Sequence, residues 1–562
     1  MRCPRFWPVV IATAVLLAGC APRTAPAPQT GSPSGTDGPA QPKRLIVGSR
    51  ETASLLNGQL DSNADVVEEL TSAGLVRFTP TGEATALLAE GIPTLENNQL
   101  VLFPDGRMET TWRLREGLKW QDGMPLTTDD LLFAVRLGQD LPEFGHAAYR
   151  SLNGVRAIDA RTITVEWKEP YIQYDNMFSW EFALPLPRHL LEDTYLNNKE
   201  AFTQHLYWTH QFMHTGPFKV REFVPTERLL LDAWPDFVFG RPRVDEVEVQ
   251  FVPDANTLIA NVFAGGVQAT IGTGISVDQA LQVTEGWRDG KAAHYPYQYT
   301  TVAKPQFINP DPRAILDVRF RRALLHAIDR EALNETVTRG LAPTSGFNTP
   351  PGAPEFAAIT PSVVQYPYDP RRAAQLIEEA GFVRVGDTYR DPNGTELAVR
   401  VEGNKSDTVV EKTVLFVADS WQRVGVKTTP DLYEPRARNQ EARATRPGFE
   451  VGAHAIALAA PRWLTWWHSS NVPTAENRWR GNNYNRYAND ELDGLIDRFH
   501  RSIPYQERVE AMKQIAHHVT DHLVELALVH HMQAALVNNR ILNFTPRTAY
   551  AQTWDAHLWD IQ

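Results

Sequence analysis

Cysteine is almost absent from this sequence of 562 residues. Cys3 and Cys20 are the only two, so the chain beyond residue 20 has no internal disulfide and no cysteine-based zinc site. Basic residues are also in deficit, since 55 Lys and Arg face 67 Asp and Glu, a formal net charge of −12. A protein with an excess of acidic residues gains little binding free energy by releasing counterions from a phosphate backbone, which argues against a nucleic-acid partner.

Catalytic signatures are missing as well. The sequence contains no GxSxG, HExxH, GxxxxGK[ST] or GxGxxG motif. His518 and His522 would share one face of a helix, but no carboxylate lies at the spacing of a known metal signature, so they are interpreted as surface residues. The sequence therefore predicts no enzymatic activity, no cofactor and no metal site.

The N terminus carries the features of an export signal. Two arginines precede an apolar stretch over residues 6–17, which is shorter than the roughly twenty residues of a spanning helix. The stretch ends in Leu17-Ala18-Gly19-Cys20, which resembles the bacterial lipobox. We predict a lipoprotein signal peptide over 1–19, lipidation of Cys20 and a proline-rich flexible tether over 20–42. An ordinary signal peptide with an accidental cysteine is the alternative.

The rest of the chain alternates between strand and helix patterns. Apolar residues repeat every second position over 161–168, 244–252 and 397–401, as in half-buried strands. A Thr127 cap starts a predicted helix, a second is predicted over Asp317–Arg339, and a third begins after Asp369 and stops at Gly381. Mixed periodicity of this kind predicts an α/β or α+β fold, and the length indicates two to four domains.

Aromatic residues are concentrated at two places. Trp463, Trp466 and Trp467 fall within five residues in a stretch with few aliphatic side chains. Tyr297 and Tyr299 are spaced so that both point to one side of an extended segment. A stacking surface for a ligand and a cluster that packs domains together are both open interpretations.

Four segments together resemble the extracytoplasmic solute-binding proteins of ABC importers, specifically family 5, which includes oligopeptide-, dipeptide- and nickel-binding lipoproteins. Residues 111–127 contain LREGLKWQDGMPLT, similar to a family signature that turns into a helix. Residues 215–242 begin with TGPFKV and contain DAWPDFVFGRP. Residues 317–330 read DVRFRRALLHAIDR, and 368–382 run from YDP to EAGF. Their order and spacing carry the resemblance.

The resemblance implies a type II periplasmic-binding-protein fold with two lobes, a hinge and an extra inserted domain. Domain I would contain 43–80, 191–305 and 533–562, domain II 81–190, and domain III 306–532. The ligand would lie between domains I and III. Strand-like crossovers near 300–307 and 528–535 would connect these two domains and allow them to close.

One family feature is missing. Peptide binders carry a W-x-x-D run whose aspartate pairs with the peptide's α-ammonium, but Ile456 and Ala459 occupy these two positions here. A buried ammonium without a carboxylate is costly, so Asp61 is a predicted substitute. The complete set of predicted ligand-binding residues is Asp61, Asn63, Tyr297, Tyr299, Arg462, Trp463, Trp466 and Trp467.

The predicted function is the substrate-binding lipoprotein of an ABC importer, with an oligopeptide or similar mid-sized polar solute as ligand. Its partners would be the permease's transmembrane subunits and, through the lipid, the membrane. The protein would be an extracytoplasmic monomer, in the periplasm or at the cell surface. Alternatives are an oligosaccharide-binding member of the family, for which Asn482, Asn483 and Asn485 would suit sugar hydroxyls, and a lipoprotein sensor or chaperone on the same fold.

Overall fold

The computed structural model describes residues 42–434, 439–455, 461–544 and 553–562. Its strands are β1 (Arg44–Ser49), β2 (Val76–Phe78), β3 (Ala84–Ala86), β4 (Leu100–Leu102), β5 (Met108–Arg113), β6 (Leu152–Ala157), β7 (Thr162–Trp167), β8 (Phe218–Val224), β9 (Arg228–Ala233), β10 (Glu246–Phe251), β11 (Ala269–Ile271), β12 (Gly290–Pro305), β13 (Val383–Val385), β14 (Thr388–Arg390), β15 (Ala398–Asn404), β16 (Lys427–Tyr433), β17 (Phe449–His454), β18 (Leu526–Asn538), β19 (Ile541–Leu542) and β20 (Asp560–Ile561).

The α-helices alternate with these strands, as the sequence predicts for an α/β protein. They are α1 (Asp65–Thr71), α2 (Thr128–Asp140), α3 (Arg188–Asn197), α4 (Ala255–Phe263), α5 (Val277–Gly286), α6 (Val318–His326), α7 (Arg330–Thr338), α8 (Phe356–Ile359), α9 (Pro370–Glu379), α10 (Thr408–Arg423), α11 (Gln440–Ala444), α12 (Asp490–Arg501) and α13 (Tyr505–Asp521). Shorter 3₁₀ segments join them, among them Pro461–Trp467.

A ten-stranded sheet organises the molecule. Its strand order is β16-β15-β17-β12-β18-β11-β1-β10-β9-β8. β1 runs parallel to β10 and β11 in one half, and β15 runs parallel to β16 and β17 in the other. Separate apolar clusters pack against the two halves, one containing Val47 and Val249 and the other Val401 and Val451. Two parallel units therefore share one sheet.

The long strands β12 and β18 connect the two halves. Residues 290–296 of β12 pair antiparallel with 532–538 of β18, and residues 300–303 pair with 526–530. The register shifts between Pro296 and Thr300, so the ladder is interrupted where the chain passes from one half to the other. The two predicted crossover segments therefore lie in strands, whereas movement about them stays a prediction.

A second, antiparallel sheet stands apart from the first, with the strand order β4-β5-β7-β6. Trp112 and Trp167 on its strands are fully buried. One apolar cluster joins them to α12, α13 and Leu464. The small sheet and these helices thus share a core.

Most local predictions are confirmed. The alternating segments at 161–168, 244–252 and 397–401 form β7, β10 and β15. Thr127 caps α2 in a capping box with Asp130, as the sequence pattern indicates. The helix after Asp369 is α9, and Gly381 follows it with φ +95°, the left-handed conformation expected after a helix.

The single helix predicted over Asp317–Arg339 is wrong, because α6 ends at His326 and α7 begins at Arg330. Asp329 separates them: its extended backbone allows its carboxylate to accept a hydrogen bond from Ala332 N at 3.0 Å and so start a new helix. The apolar positions continue through both helices, so periodicity alone does not reveal the break. The surface interpretation of His518 is also wrong, since this side chain on α13 is buried.

Candidate ligand-binding cleft

The carboxyl ends of the parallel strands meet beside the middle of β12 and β18. In one half, β11 runs antiparallel to β18 and ends at Ile271. In the other half, β17 runs antiparallel to β12 and ends at His454. Both strands therefore run towards the register break of β12 and β18. In open α/β sheets, ligands bind outside the carboxyl ends of strands. This junction is therefore the candidate cleft.

A cavity of about 810 Å³, here called the central cavity, opens at this junction. Arg50 and Thr273 line it from the first half, Asp407 and Lys412 from the second, and His531 from β18. A neighbouring cavity of about 360 Å³, the side cavity, also includes Asp407 in its lining. The volumes suit a mid-sized ligand, and Asp407 lies where the two cavities adjoin.

An aromatic group, here called the aromatic wall, joins the crossover strand to the 3₁₀ segment. The rings of Tyr297 and Tyr299 lie 4.9 Å apart, and the Tyr299 ring lies 5.9 Å from that of Trp463. Trp463 in turn lies edge-on to Trp466 at 4.5 Å. Tyr297, Tyr299, Trp463 and Trp466 are partly exposed. The structure thus brings together residues that are about 165 positions apart in sequence.

A buried hydrogen-bonded group supports the wall from behind. His454 stacks on Trp466 with a centroid distance of 5.0 Å, and its Nδ1 donates to Glu525 Oε2 at 2.6 Å. Asn348 Nδ2 donates to the same oxygen at 2.8 Å. Burial raises the pKa of Glu525, but His454 and Lys304 outweigh it and hold that pKa below its ordinary value. An ionised Glu525 therefore fixes the orientation of the imidazole ring.

A second buried carboxylate lines the side cavity. Glu450 Oε1 accepts hydrogen bonds from Arg443 Nε at 2.8 Å and from the Tyr433 hydroxyl at 3.1 Å. Burial opposes its ionisation, yet the charges of Arg443, Arg446 and Lys304 lower the pKa of Glu450 to about 2. Its charge is compensated within the protein, so Glu450 organises the cavity floor.

The other predicted site residues lie apart from the wall. Asp61 uses both carboxylate oxygens locally: Oδ2 accepts from Ser54 N at 2.6 Å, and Oδ1 accepts from Asn63 N at 3.0 Å. Burial raises the pKa of Asp61, but these hydrogen bonds together outweigh it and lower that pKa, so the carboxylate is an ionised cap of its loop. Asn63 is exposed beside it. A ligand role for either residue stays a prediction.

Trp467 faces away from the wall. It is fully buried and packs near Phe347, with ring centroids 6.1 Å apart. Cys20, Ile456, Ala459 and the side chain of Arg462 lie outside the described residues. Predictions that involve them are unchanged by the structure.

Sequence reasoning missed Asp407 and His531. Asp407 precedes a helix in the run Ser406-Asp407-Thr408, which is recognisable as a cap but not as a cavity residue. His531 belongs to β18, where its Nε2 lies 2.6 Å from Thr301 Oγ1. Asp407 follows β15 and His531 lies on β18, and β17 and β12 lie between these two strands in the sheet. Their proximity therefore depends on the strand order of the sheet, which no local sequence signal reports.

No group of three or more metal-ligating side chains that could hold an ion is found among the described residues. Within the same residues, no helix combines the length and apolarity needed to cross a membrane.

Several proteins are similar to this chain in sequence. The oligopeptide-binding protein AppA of Bacillus subtilis is 24% identical over 466 residues, which cover 82% of this chain and 80% of AppA. A Brucella ovis protein named as an ABC transporter peptide-binding protein is 28% identical over 295 residues, 50% of this chain and 51% of that protein. Heme-binding protein A of Haemophilus influenzae is 27% identical over 308 residues, covering 53% and 51% of the two chains. The chain thus spans about half the length of the last two relatives.

Solved structures show the same fold at lower identity. The oligopeptide-binding protein of Thermus thermophilus, solved with a pentapeptide, superposes with a TM-score of 0.69 at 22% identity, covering 93% of this chain and 96% of that chain. NikZ of Campylobacter jejuni, solved with Ni(L-His), gives 0.71 at 18% identity and covers 92% and 99% of the two chains. The predicted periplasmic-binding-protein fold is confirmed.

The family described as "Bacterial extracellular solute-binding proteins, family 5 Middle" matches residues 104–474, which is more than half of the chain. Its members are extracytoplasmic binding proteins without enzymatic activity, which confirms the predicted extracytoplasmic location and the predicted lack of catalysis. The cleft, the shared sheet and this match lead to one conclusion: the chain belongs to the family 5 extracellular solute-binding proteins of bacteria.

Proposed function

We propose that this protein is the lipid-anchored substrate-binding subunit of an ABC importer and that its ligand is an oligopeptide or a similar mid-sized polar solute. The observation that carries the proposal is the central cavity between the two halves, whose lining residue His531 lies beside the aromatic wall, with its ring centroid 6.3 Å from that of Tyr299. Such rings bury apolar ligand surface while the surrounding charged and polar groups orient the ligand. The similarity to AppA supports a peptide as the ligand class.

An oligosaccharide is the competing ligand, but two of the three amides that would favour it are engaged elsewhere, while Asn482 is exposed. Asn483 Nδ2 donates to the Tyr487 carbonyl oxygen at 2.8 Å, and Asn485 Nδ2 donates to the Val524 carbonyl oxygen at 2.7 Å. Both side chains are buried. They stabilise the loop, so sugar hydroxyls would lack these two partners.

The experiment that tests ligand class is native mass spectrometry of protein purified from its own host without refolding. We expect masses of bound peptides that sequence as mixtures of several lengths. Bound oligosaccharide would replace the peptide proposal by its competitor. As a control, the protein is unfolded to release the bound species and then refolded. Rebinding of a synthetic copy of the identified ligand then shows that binding is specific.

The anchor is tested separately. Cys20→Ala should abolish incorporation of labelled fatty acid and leave unprocessed precursor, whereas Cys3→Ala is the matched control and should be processed normally. Labelled, normally processed Cys20→Ala protein would contradict the anchor. A transport assay distinguishes a transport subunit from a sensor or chaperone. It measures uptake of the identified ligand into vesicles that contain the partner permease, which only a transport subunit would stimulate.

A further inference from the structure

The three acidic residues that line the central cavity are not equivalent, because they differ in pairing and in exposure to solvent. Asp278 accepts hydrogen bonds from Lys412 Nζ at 2.8 Å and from Arg339 Nε at 2.7 Å, one on each oxygen. Asp254 is exposed, caps α4 through Thr257 and lies near Arg50. The charge of Asp278 is therefore compensated by two cations, whereas that of Asp254 is solvated and lies in the field of Arg50.

Asp407 differs from both. Its Oδ1 accepts from Val409 N at 2.9 Å and from Val410 N at 3.2 Å, which caps α10. In the described part of the chain, its Oδ2 has no hydrogen bond and no basic side chain forms an ion pair with it. Asp407 also lies where the central and side cavities adjoin. Among the described residues that line the cavity, Asp407 is thus a partly buried carboxylate with one oxygen free to accept a hydrogen bond from a ligand.

His531 supplies the second polar group. It is only 7% exposed, and it lines the central cavity. Its Nε2 bonds to Thr301 Oγ1 at 2.6 Å, which leaves Nδ1 without a hydrogen-bond partner among the described residues. Burial lowers the pKa of His531, although the nearby charge of Asp407 opposes this, so the ring is neutral. A neutral ring that donates from Nε2 to Thr301 presents Nδ1 as an acceptor.

We infer that Asp407 and His531 together bind a protonated amino group of the ligand. An ammonium has three N–H donors and no acceptor, so it complements a carboxylate oxygen and an imidazole nitrogen, both of which accept. This inference rests on the proposed function and adds a charge requirement to it. The amino group would lie beside the crossover strands, where β18 carries His531 to the cavity.

The test uses a tryptic digest of casein as the probe, divided into three pools. One pool is untreated, one is acetylated so that every amine loses its charge, and one is reductively dimethylated so that every amine keeps its charge and one N–H. Native mass spectrometry then measures the amount of bound peptide. We expect the untreated and dimethylated pools to bind and the acetylated pool to bind about tenfold less, because a charge-assisted hydrogen bond is lost.

The variant Asp407→Asn assigns the effect to a residue. Asparagine retains the capping oxygen for Val409 and Val410, so α10 keeps its start and only the charge is removed. Binding of the untreated pool should fall about tenfold, and the difference between the untreated and acetylated pools should disappear. Asp254→Asn, which alters another helix cap at the same cavity, is the matched control and should keep both values.

His531→Asn should weaken binding of the untreated pool about threefold and leave binding of the acetylated pool unchanged. Equal binding of acetylated and untreated peptides, or wild-type discrimination by Asp407→Asn, would overturn the inference while leaving peptide binding intact. Absence of binding by all three pools would instead overturn the proposed peptide function and, with it, this inference. Equal loss for every pool in Asp407→Asn would reveal a structural defect and also overturn the inference.

Discussion

The aromatic wall and the layer directly behind it differ in how their side chains are used. Trp463 and Trp466 are partly exposed, whereas Trp467 in the same 3₁₀ segment is fully buried. Behind the wall, His454 and Glu525 form a buried hydrogen-bonded pair. A buried rear layer thus lies against a front layer whose rings are partly exposed. Substitutions in the two layers should therefore have opposite consequences for stability and affinity.

The largest expected effect is on stability and comes from the rear layer. Trp467→Ala removes a fully buried indole from the core shared with the small sheet, and should lower the free energy of unfolding by about 3–5 kcal/mol. Urea denaturation measures this loss. Ligand affinity measured by calorimetry well below the melting temperature should change little, and a selective loss of affinity would place Trp467 in the front layer.

A pH dependence follows from Glu450. Its carboxylate has a pKa of about 2 in the folded protein and an ordinary value near 4.5 when unfolded, so its contribution is complete above about pH 4.5 and disappears as the pH falls through 2. Glu450→Gln should cost on the order of 3 kcal/mol at pH 7, because it leaves Arg443 and Arg446 uncompensated.

The diagnostic is the difference in stability between wild type and Glu450→Gln, measured by chemical denaturation from pH 6 to pH 2. The difference should shrink below pH 4.5. Glu396→Gln, which removes an exposed ion pair with Lys427, is the control and should show a much smaller difference. A difference that stays constant with pH would show that the lost interaction does not depend on ionisation.

The front layer should show the converse behaviour with a smaller free-energy change. Trp463→Ala and Trp466→Ala should each weaken ligand binding about fivefold, on the order of 1 kcal/mol, because ligand surface packs against the rings. Their melting temperatures should fall far less than that of Trp467→Ala. Calorimetry with the identified ligand measures the affinity, and unchanged affinity in both variants would mean that the wall only packs the domains together.

The smallest expected effect concerns the rim of the cleft. Asp278 on α5 bridges the two halves through Lys412 and Arg339, and these side chains are in contact with solvent. Asp278→Asn should change affinity by about 0.5 kcal/mol or less, and only at low salt.

Small-angle scattering should show that ligand compacts both wild type and variant. Identical dimensions with and without ligand would contradict closure about β12 and β18.

Much of this site follows from local sequence, and the structure shows where that reasoning ends. The pattern of Tyr297 and Tyr299 and the density of tryptophans indicate accessible aromatics, because spacing within one segment fixes which side chains share a face. Spacing cannot state how deep each side chain lies. Trp466 and Trp467 are neighbours in sequence, yet one is partly exposed and the other is fully buried, since burial depends on which elements pack against the segment.

The α/β periodicity, the caps at Thr127 and Asp369 and the segments that carry the family resemblance can be read from the chain, because they depend on residues close together in it. That Asp61 is engaged by its own loop while Asp407 retains an oxygen at the cavity is visible in three dimensions alone. Both aspartates cap the segment that follows them, a 3₁₀ turn for Asp61 and α10 for Asp407. What separates them is the set of residues near each in space: β18 carries His531 to the cavity that Asp407 lines, and no such partner reaches Asp61 among the described residues.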